Sequence, residues 1–200
     1  MTSASQKALH YLAGRYEDIL LLAESHKNQE ETDRVIATLG SLGWQCTASP
    51  AKQSDKAEGG TVAGVIAGVR RNIDNRPLSI CIDQDGRRTP NPFITGRMVV
   101  IEGNEIIVLS GYLECGGLKG SNLNTLKEVD HITRGGKDLF MWALDGNVPP
   151  EAWEKLTEGK ETWLDKMKAE LVLVQNTKCL LAKEGNLPCL RQRLNCATQA

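Results

Sequence analysis

An α/β fold is predicted by three features of this 200-residue chain. Continuous apolar runs of strand length, Asp18 to Ala23 (DILLLA) and Leu139 to Leu144 (LFMWAL), are too short for comfortable helices and too apolar for surface loops. Between and around them lie stretches that put apolar residues on one helical face. Polar side chains stand repeatedly just past the ends of the apolar runs, where open α/β sheets place their chemistry.

Taken in order, Ser5 to Gly14 carries Ala8, Leu9, Tyr11 and Leu12 at helical spacing, with serines as caps and Gly14 as a stop. The strand Asp18 to Ala23 follows, and Glu24-Ser25-His26 comes directly after it. Glu30 to Leu42 reads as a surface helix, with Val35, Ile36, Leu39 and Leu42 on one face and Gly43 as terminator. Trp44 to Ala48 is a candidate strand, and Ser49 to Gly60 a polar surface loop. Thr61 to Val69 (TVAGVIAGV) is β-branched enough for a strand, its glycines implying close packing against a neighbour. It lacks both G-x-x-x-x-G-K-[ST] and G-x-G-x-x-G, so it is no phosphate loop.

Leu78 to Ile82 reads as a strand and Asp85-Gly86 as a hairpin turn, the ligands and distant glutamate of a calcium loop being missing. A second hairpin pairs Arg97 to Ile101 with Glu105 to Ser110 around Gly103-Asn104. After Gly111-Tyr112 comes a helix from Asn122 to Arg134, with Leu123, Leu126, Val129 and Ile132 spaced three apart and Ser121 or Asn122 as cap. Val148-Pro149-Pro150 ends the run from Leu139, because proline cannot donate to a ladder. Pro150 to Leu156 reads as a helical turn, Glu161 to Ala169 as a helix and Glu170 to Val174 as a strand. Periodicity gives no element from Asn176 onward, so a domain over 1–178 and an irregular tail over 179–200 are expected.

An apolar fraction of 40% is enough for a sizeable core, and a net charge of −1 builds in no strong steering toward a polyanion. The pairs Arg70-Arg71 and Arg87-Arg88 read as solvated strand ends rather than a nucleic-acid patch. Six cysteines without a C-x-x-C spacing exclude a zinc knuckle or redox pair and read as free intracellular thiols. With no basic segment leading into an apolar one, and no run near the roughly 20 apolar residues of a membrane span, an intracellular protein is expected, cytoplasmic or nuclear.

The candidate site gathers Glu24, Tyr112, Asp145 and Asn147. Asp145 and Asn147 are two residues apart, so an extended backbone turns both to one side. The plain alternative is that Asp-Gly-Asn forms only a turn. Phosphodiester hydrolysis needs a hard cation on oxygen ligands, a group that orients or deprotonates water, and donors for developing charge. Glu24 suits the first role, Asp145 the second, Asn147 and Tyr112 the third. His10, His26 and His131 read as ordinary surface or core histidines.

In this order the residues resemble the endonuclease/exonuclease/phosphatase superfamily, which includes deoxyribonuclease I and the apurinic and retrotransposon endonucleases. DILLLAESH is similar to the strand that ends in that family's metal-binding glutamate, here Glu24. GGTVAGVIAGVR is similar to its glycine-rich strand, and IIVLSGYLECGG to the strand ending in its active-site tyrosine, here Tyr112. LFMWALDGNVPP is similar to its Gly-Asp-Phe-Asn motif, here Asp145 and Asn147, with Leu144 and Gly146 in place of the glycine and the aromatic residue. Leu113-Glu114 stands where the family has a proline after the tyrosine.

The resemblance implies a four-layered α/β sandwich of the deoxyribonuclease I-like type, without the family's first strand and its asparagine or its closing Ser-Asp-His strand. It implies a metal-dependent phosphodiesterase or nuclease, with Mg²⁺ or Mn²⁺ held weakly by Glu24 and with Asp145, Asn147 and Tyr112 as catalytic groups. Nucleic acid or another phosphate ester is the implied partner, and exposed sheet edges would offer a place for a protein. A degenerate, non-catalytic binding module or gene fragment is the competing expectation. A third is an unrelated α/β domain whose strand-end residues coincide by chance.

Overall fold

The alternation of side chains along each strand decides how the layers stack. In the computed structural model, which describes Tyr11 and residues 17–54, 60–78, 91–115, 120–147, 157–158, 161–166, 169–174 and 177–182, β1 (Ile19–Leu22) pairs antiparallel with β5 (Val65–Arg70). β5 also pairs antiparallel with β2 (Trp44–Ser49), giving a small sheet in the order β1-β5-β2. Leu20, Ile66 and Trp44 turn to one face and pack on Leu39 of helix α1 (Gln29–Ser41). Ile19, Leu21 and Val69 turn to the other face, onto the second sheet.

Helix α1 starts at a capping box: Asn28 Oδ1 accepts from the Glu31 amide and Glu31 returns the bond to the Asn28 amide. Its last carbonyls meet arginine. Arg71 donates to Gly40 O at 2.7 Å, and Arg70 donates to Leu42 O at 2.8 Å while stacking 4.0 Å over the Trp44 ring. The two arginines read as solvated strand ends are thus cations at a helix C-terminus, where exposed carbonyls attract them.

Two two-residue strands, β3 (Lys52–Gln53) and β4 (Thr61–Val62), pair across the stretch read as a polar loop. The strand expected over Thr61 to Val69 is broken at Ala63-Gly64, both in the left-handed region (φ 62 and 84). A side chain on Gly64 would run into Ser25 Oγ and the Ala51 backbone, so close packing does explain that glycine.

The larger sheet has the order β12-β13-β9-β8-β7-β6. β7 (Ile94–Ile101) and β8 (Asn104–Leu113) form the expected hairpin, longer than the sequence implied. Its turn is Glu102-Gly103 rather than Gly103-Asn104; both have positive φ (53 and 80), and Asn104 already pairs with Ile101. Helix α2 (Ser121–Ile132) crosses from β8 to its parallel neighbour β9 (Leu139–Gly146). Its N-cap is Gly120, not Ser121 or Asn122. Asn122 is instead buried and clasps the Glu114 backbone, accepting from its N–H and donating to its C=O, each at 2.8 Å.

β6 (Asn75–Pro77) lies ahead of the strand expected over Leu78 to Ile82, of which 79–82 lie outside the described residues. Of the helix expected over Glu161 to Ala169, the single turn α3 (Trp163–Lys166) forms; β11 (Glu161–Thr162) precedes it, paired with β10 (Thr157–Glu158), and 167–168 lie outside the described residues. β12 (Ala169–Val174) forms as expected. β13 (Thr177–Ala182), where periodicity gave no element, inserts between β12 and β9 and runs past the boundary expected at 178. The helices expected over Ser5 to Gly14 and Pro150 to Leu156, the Asp85-Gly86 turn, Arg87-Arg88 and 183–200 lie outside the described residues, Tyr11 apart. Among the described residues no helix is long and apolar enough to cross a membrane.

Helix α2 covers the outer face of the large sheet, burying Leu126 and Val129 against Ile107, Leu109, Phe140 and Trp142. The layers are therefore α1, small sheet, large sheet, α2, the four-layered arrangement. Between the sheets, Val69, Val99, Ile106, Val108 and Met141 form an apolar core. Beside it the contact is polar. Thr47 Oγ1 donates to Gly96 O at 3.0 Å, Ser49 Oγ to Ile94 O at 2.9 Å, and Ser110 Oγ to Leu22 O at 2.7 Å. The buried Arg97 donates to Asn75 Oδ1 at 2.6 Å, and Asn75 donates on to Gln45 Oε1. A buried charge must be hydrogen-bonded to be tolerated, and this chain of donors meets that need. Burial nonetheless lowers the Arg97 pKa from its ordinary value, and the same burial raises the Cys46 thiol to about 11.

Ser110→Ala should cost about 0.5–1.5 kcal/mol, because it removes a hydrogen bond that joins two packed sheets. Urea denaturation of both proteins measures this; equal midpoints would show that the sheets do not need the bond.

Candidate active site

β1 and β8 belong to different sheets, yet the Ser110 to Leu22 bond joins them two residues before Tyr112 and two residues before Glu24. Alternation then turns Ser110 and Tyr112 to the same side, toward the small sheet. Tyr112 lies within β8, not past its end, and is 8% exposed. Its amide donates to Phe93 O at 2.9 Å, and its ring stacks on Phe93 with centroids 6.2 Å apart. Ala63, Val65, Phe93 and Tyr112 make the apolar floor of the site, with Ala23 against it.

Asp145 also lies inside its strand, directly across the parallel ladder from Tyr112, and is exposed. Burial pushes the Tyr112 phenol up to about 12; the Glu24 carboxylate, by its charge and as acceptor for the hydroxyl, adds in the same direction, as do Cys115 and Asp145. The structure thus brings Glu24, Tyr112 and Asp145 together. Asn147 follows Asp145 on a bend and is exposed, and its Nδ2 donates to Leu113 O at 3.0 Å. One of its two amide donors is thereby committed to the backbone beside Tyr112 rather than directed at the other three groups.

Glu24 sits in an unusual piece of chain. Glu24 and His26 both have left-handed backbones (φ 53 and 51), a conformation costing about 1–3 kcal/mol at a non-glycine residue. The turn is held by its neighbour in the small sheet. Ser25 N donates to Gly64 O at 2.8 Å, His26 N to Ala63 O at 3.1 Å, and Thr61 Oγ1 to His26 O at 2.9 Å. His26 Nδ1 lies 2.8 Å from Thr61 O, and its Nε2 lies 3.9 Å from Glu24 Oε1.

Two groups that the sequence did not single out complete the surroundings. Phe93 supports the Tyr112 ring, and Lys52 stands 4.8 Å over Phe93 and 3.9 Å from Glu114. No motif marks Phe93; only its place at the start of a strand beside the Tyr112 strand does. A cavity of about 290 Å³ lined by Asp18, Asp74 and Glu102 lies at the opposite strand ends and has no part in this site.

Among the described residues no three His, Cys, Asp or Glu side chains cluster as a closed cation site requires. The donors do fit an ion that keeps most of its water, held by one partly exposed carboxylate and completed by substrate oxygens, which is how Mg²⁺-type sites are commonly built. Glu24 is the carboxylate that could hold such an ion.

The raised Tyr112 pKa carries a pH signature. The folded protein holds this proton more tightly than the unfolded chain, so the associated stability is present in full below pH 10 and is lost as pH rises toward about 12. Tyr112→Phe should flatten the fall in melting temperature over that interval. A fall of the same size in both proteins would show that the phenol is not held protonated.

No protein-family model and no curated protein sequence matches the chain. Solved structures do match in shape. The AP endonuclease LMAP from Leishmania major superposes with a TM-score of 0.61 at 12% identity, over 90% of this chain and 74% of that one. The human Nocturnin catalytic domain with bound sulfate anion gives 0.56 at 15% identity, over 90% and 73%. The endonuclease domain of TRAS1, a telomere-specific non-LTR retrotransposon, gives 0.53 at 15% identity, over 91% and 81%. At these identities the likeness is one of fold: the chain has the deoxyribonuclease I-like α/β sandwich.

Proposed function

We propose that this chain is a divalent-metal-dependent phosphodiester hydrolase domain of the nuclease type. The observation that carries the proposal is the meeting of Glu24, Tyr112 and Asp145 at one end of two packed sheets. Two of the structural neighbours are named as endonucleases and a third holds a sulfate anion, which supports a phosphate ester, and nucleic acid first, as the substrate.

Each group has a role set by its surroundings. Glu24 would hold the cation, Mg²⁺ or Mn²⁺, which when bound supplies positive charge against the phosphate oxygens. Asp145 is exposed and ionisable, suited to orienting a water and taking its proton. Tyr112 keeps its own proton far above neutral pH, so it serves as a donor and not as a base; it steadies Glu24 and can turn its hydroxyl to charge developing on a phosphate oxygen. Asn147, one donor already bound to Leu113 O, has its second left for the phosphate.

A second reading, a non-catalytic binding module that keeps the fold, is favoured by that committed Asn147 amide. Cleavage of a labelled oligonucleotide, with and without Mg²⁺ or Mn²⁺, separates the two. Under the proposal, Glu24→Ala and Asp145→Asn each lower the rate by about 10²-fold or more. Absence of cleavage, or cleavage indifferent to both substitutions, would favour the second reading.

A further inference from the structure

His26 has no part in the roles assigned so far, although it stands beside Glu24 with its ring half exposed. Its Nδ1 is 2.8 Å from the Thr61 carbonyl oxygen. A carbonyl oxygen can only accept, so the proton of that bond belongs to Nδ1. The neutral ring then keeps a lone pair on Nε2, the nitrogen 3.9 Å from Glu24 Oε1. Two groups so placed are joined either by a proton on Nε2, as an ion pair, or by a metal ion between them.

Three features favour the metal ion. A ring N–H given to a backbone carbonyl, with the other nitrogen free, is the support that orients metal-bound histidines. Bonds of about 2.0–2.2 Å put two nitrogen or carboxylate ligands of one ion about 2.8–3.6 Å apart, so the 3.9 Å pair closes onto one ion with a side-chain movement of about 1 Å or less. Both residues are also held in left-handed backbone by four hydrogen bonds to residues 61–64, which fixes the two side chains relative to each other.

We propose that His26, through Nε2, is the second protein ligand of the ion held by Glu24, and that the site therefore prefers a first-row transition-metal ion such as Mn²⁺ to Mg²⁺. Mg²⁺ is bound by oxygen and gives up its waters reluctantly, whereas imidazole suits the transition metals. The inference rests on the assignment of Glu24 as a cation ligand, made above.

The test uses the full chain with MnCl₂ and MgCl₂, because the thiols of six cysteines would compete for zinc or cobalt. Binding is followed by electron paramagnetic resonance of free Mn²⁺, with Mg²⁺ as competitor. Electron spin-echo envelope modulation of the bound ion reports a directly coordinated nitrogen in the unmodified protein, independently of any variant. His26→Asn is the variant of choice, since asparagine tolerates a left-handed backbone.

The expected result is nitrogen modulation in the wild type, a loss of about tenfold or more in Mn²⁺ affinity in His26→Asn with Mg²⁺ affinity within about twofold, and loss of both ions in Glu24→Gln. Mn²⁺ bound without nitrogen modulation, sensitive to Glu24→Gln but not to His26→Asn, would overturn the role of His26 and leave the cation at Glu24 standing. Binding of neither ion in a manner sensitive to Glu24→Gln would overturn both.

Discussion

The hydrogen bond from Ser110 Oγ to the Leu22 carbonyl is the constraint on which the candidate site depends. It crosses between the two sheets and fixes the axial offset of β8 against β1. Two residues further along each strand stand Tyr112 and Glu24. A sheet interface held by apolar contact alone is non-directional and tolerates sliding. Three hydroxyl-to-carbonyl bonds, from Thr47, Ser49 and Ser110, make this interface directional.

From that offset the site follows. Period-two alternation sends Ser110 and Tyr112 to the small-sheet side, and the parallel ladder puts Asp145 beside Tyr112. Phe93 closes the apolar floor, and burial against it keeps the phenol protonated. The left-handed turn at Glu24 and His26 is the strained part, and bonds to the equally left-handed Ala63-Gly64 pair hold it. Strain of this sort is maintained where surrounding structure over-determines it, and it clusters at functional positions.

The sequence made the layers legible wherever apolar period and length agreed. Ile19–Leu22, Gln29–Ser41, Ile94–Leu113 and the strand from Leu139 are local patterns, and so is the order of Glu24, Tyr112 and Asp145 along them. Thr177–Ala182 was illegible because its strand is specified by the partners on either side, β12 and β9, and not by its own composition. The helix expected from Glu161 starts only at Trp163, because a helical period in charged chain does not say that Glu161 and Thr162 pair with Glu158 and Thr157. The partners of Arg70 and Arg71 at that strand end were illegible for a similar reason: the carbonyls of Leu42 and Gly40 lie about 30 residues away in sequence. His26 was seen and set aside, since a histidine's role is fixed by what its two nitrogens face, and one faces Thr61 across 35 residues of chain.

The account turns on Glu24 and Tyr112 sharing one pocket. Tyrosine labelled with carbon-13 at Cζ reports each phenol's ionisation directly, and the Tyr112 resonance is assigned by its disappearance in Tyr112→Phe. The account predicts a midpoint near 12 in the wild type and a lower one in Glu24→Gln, where the charge opposing the phenolate is gone. A midpoint near the ordinary value of 10, unmoved by Glu24→Gln, would place the two groups apart and contradict it.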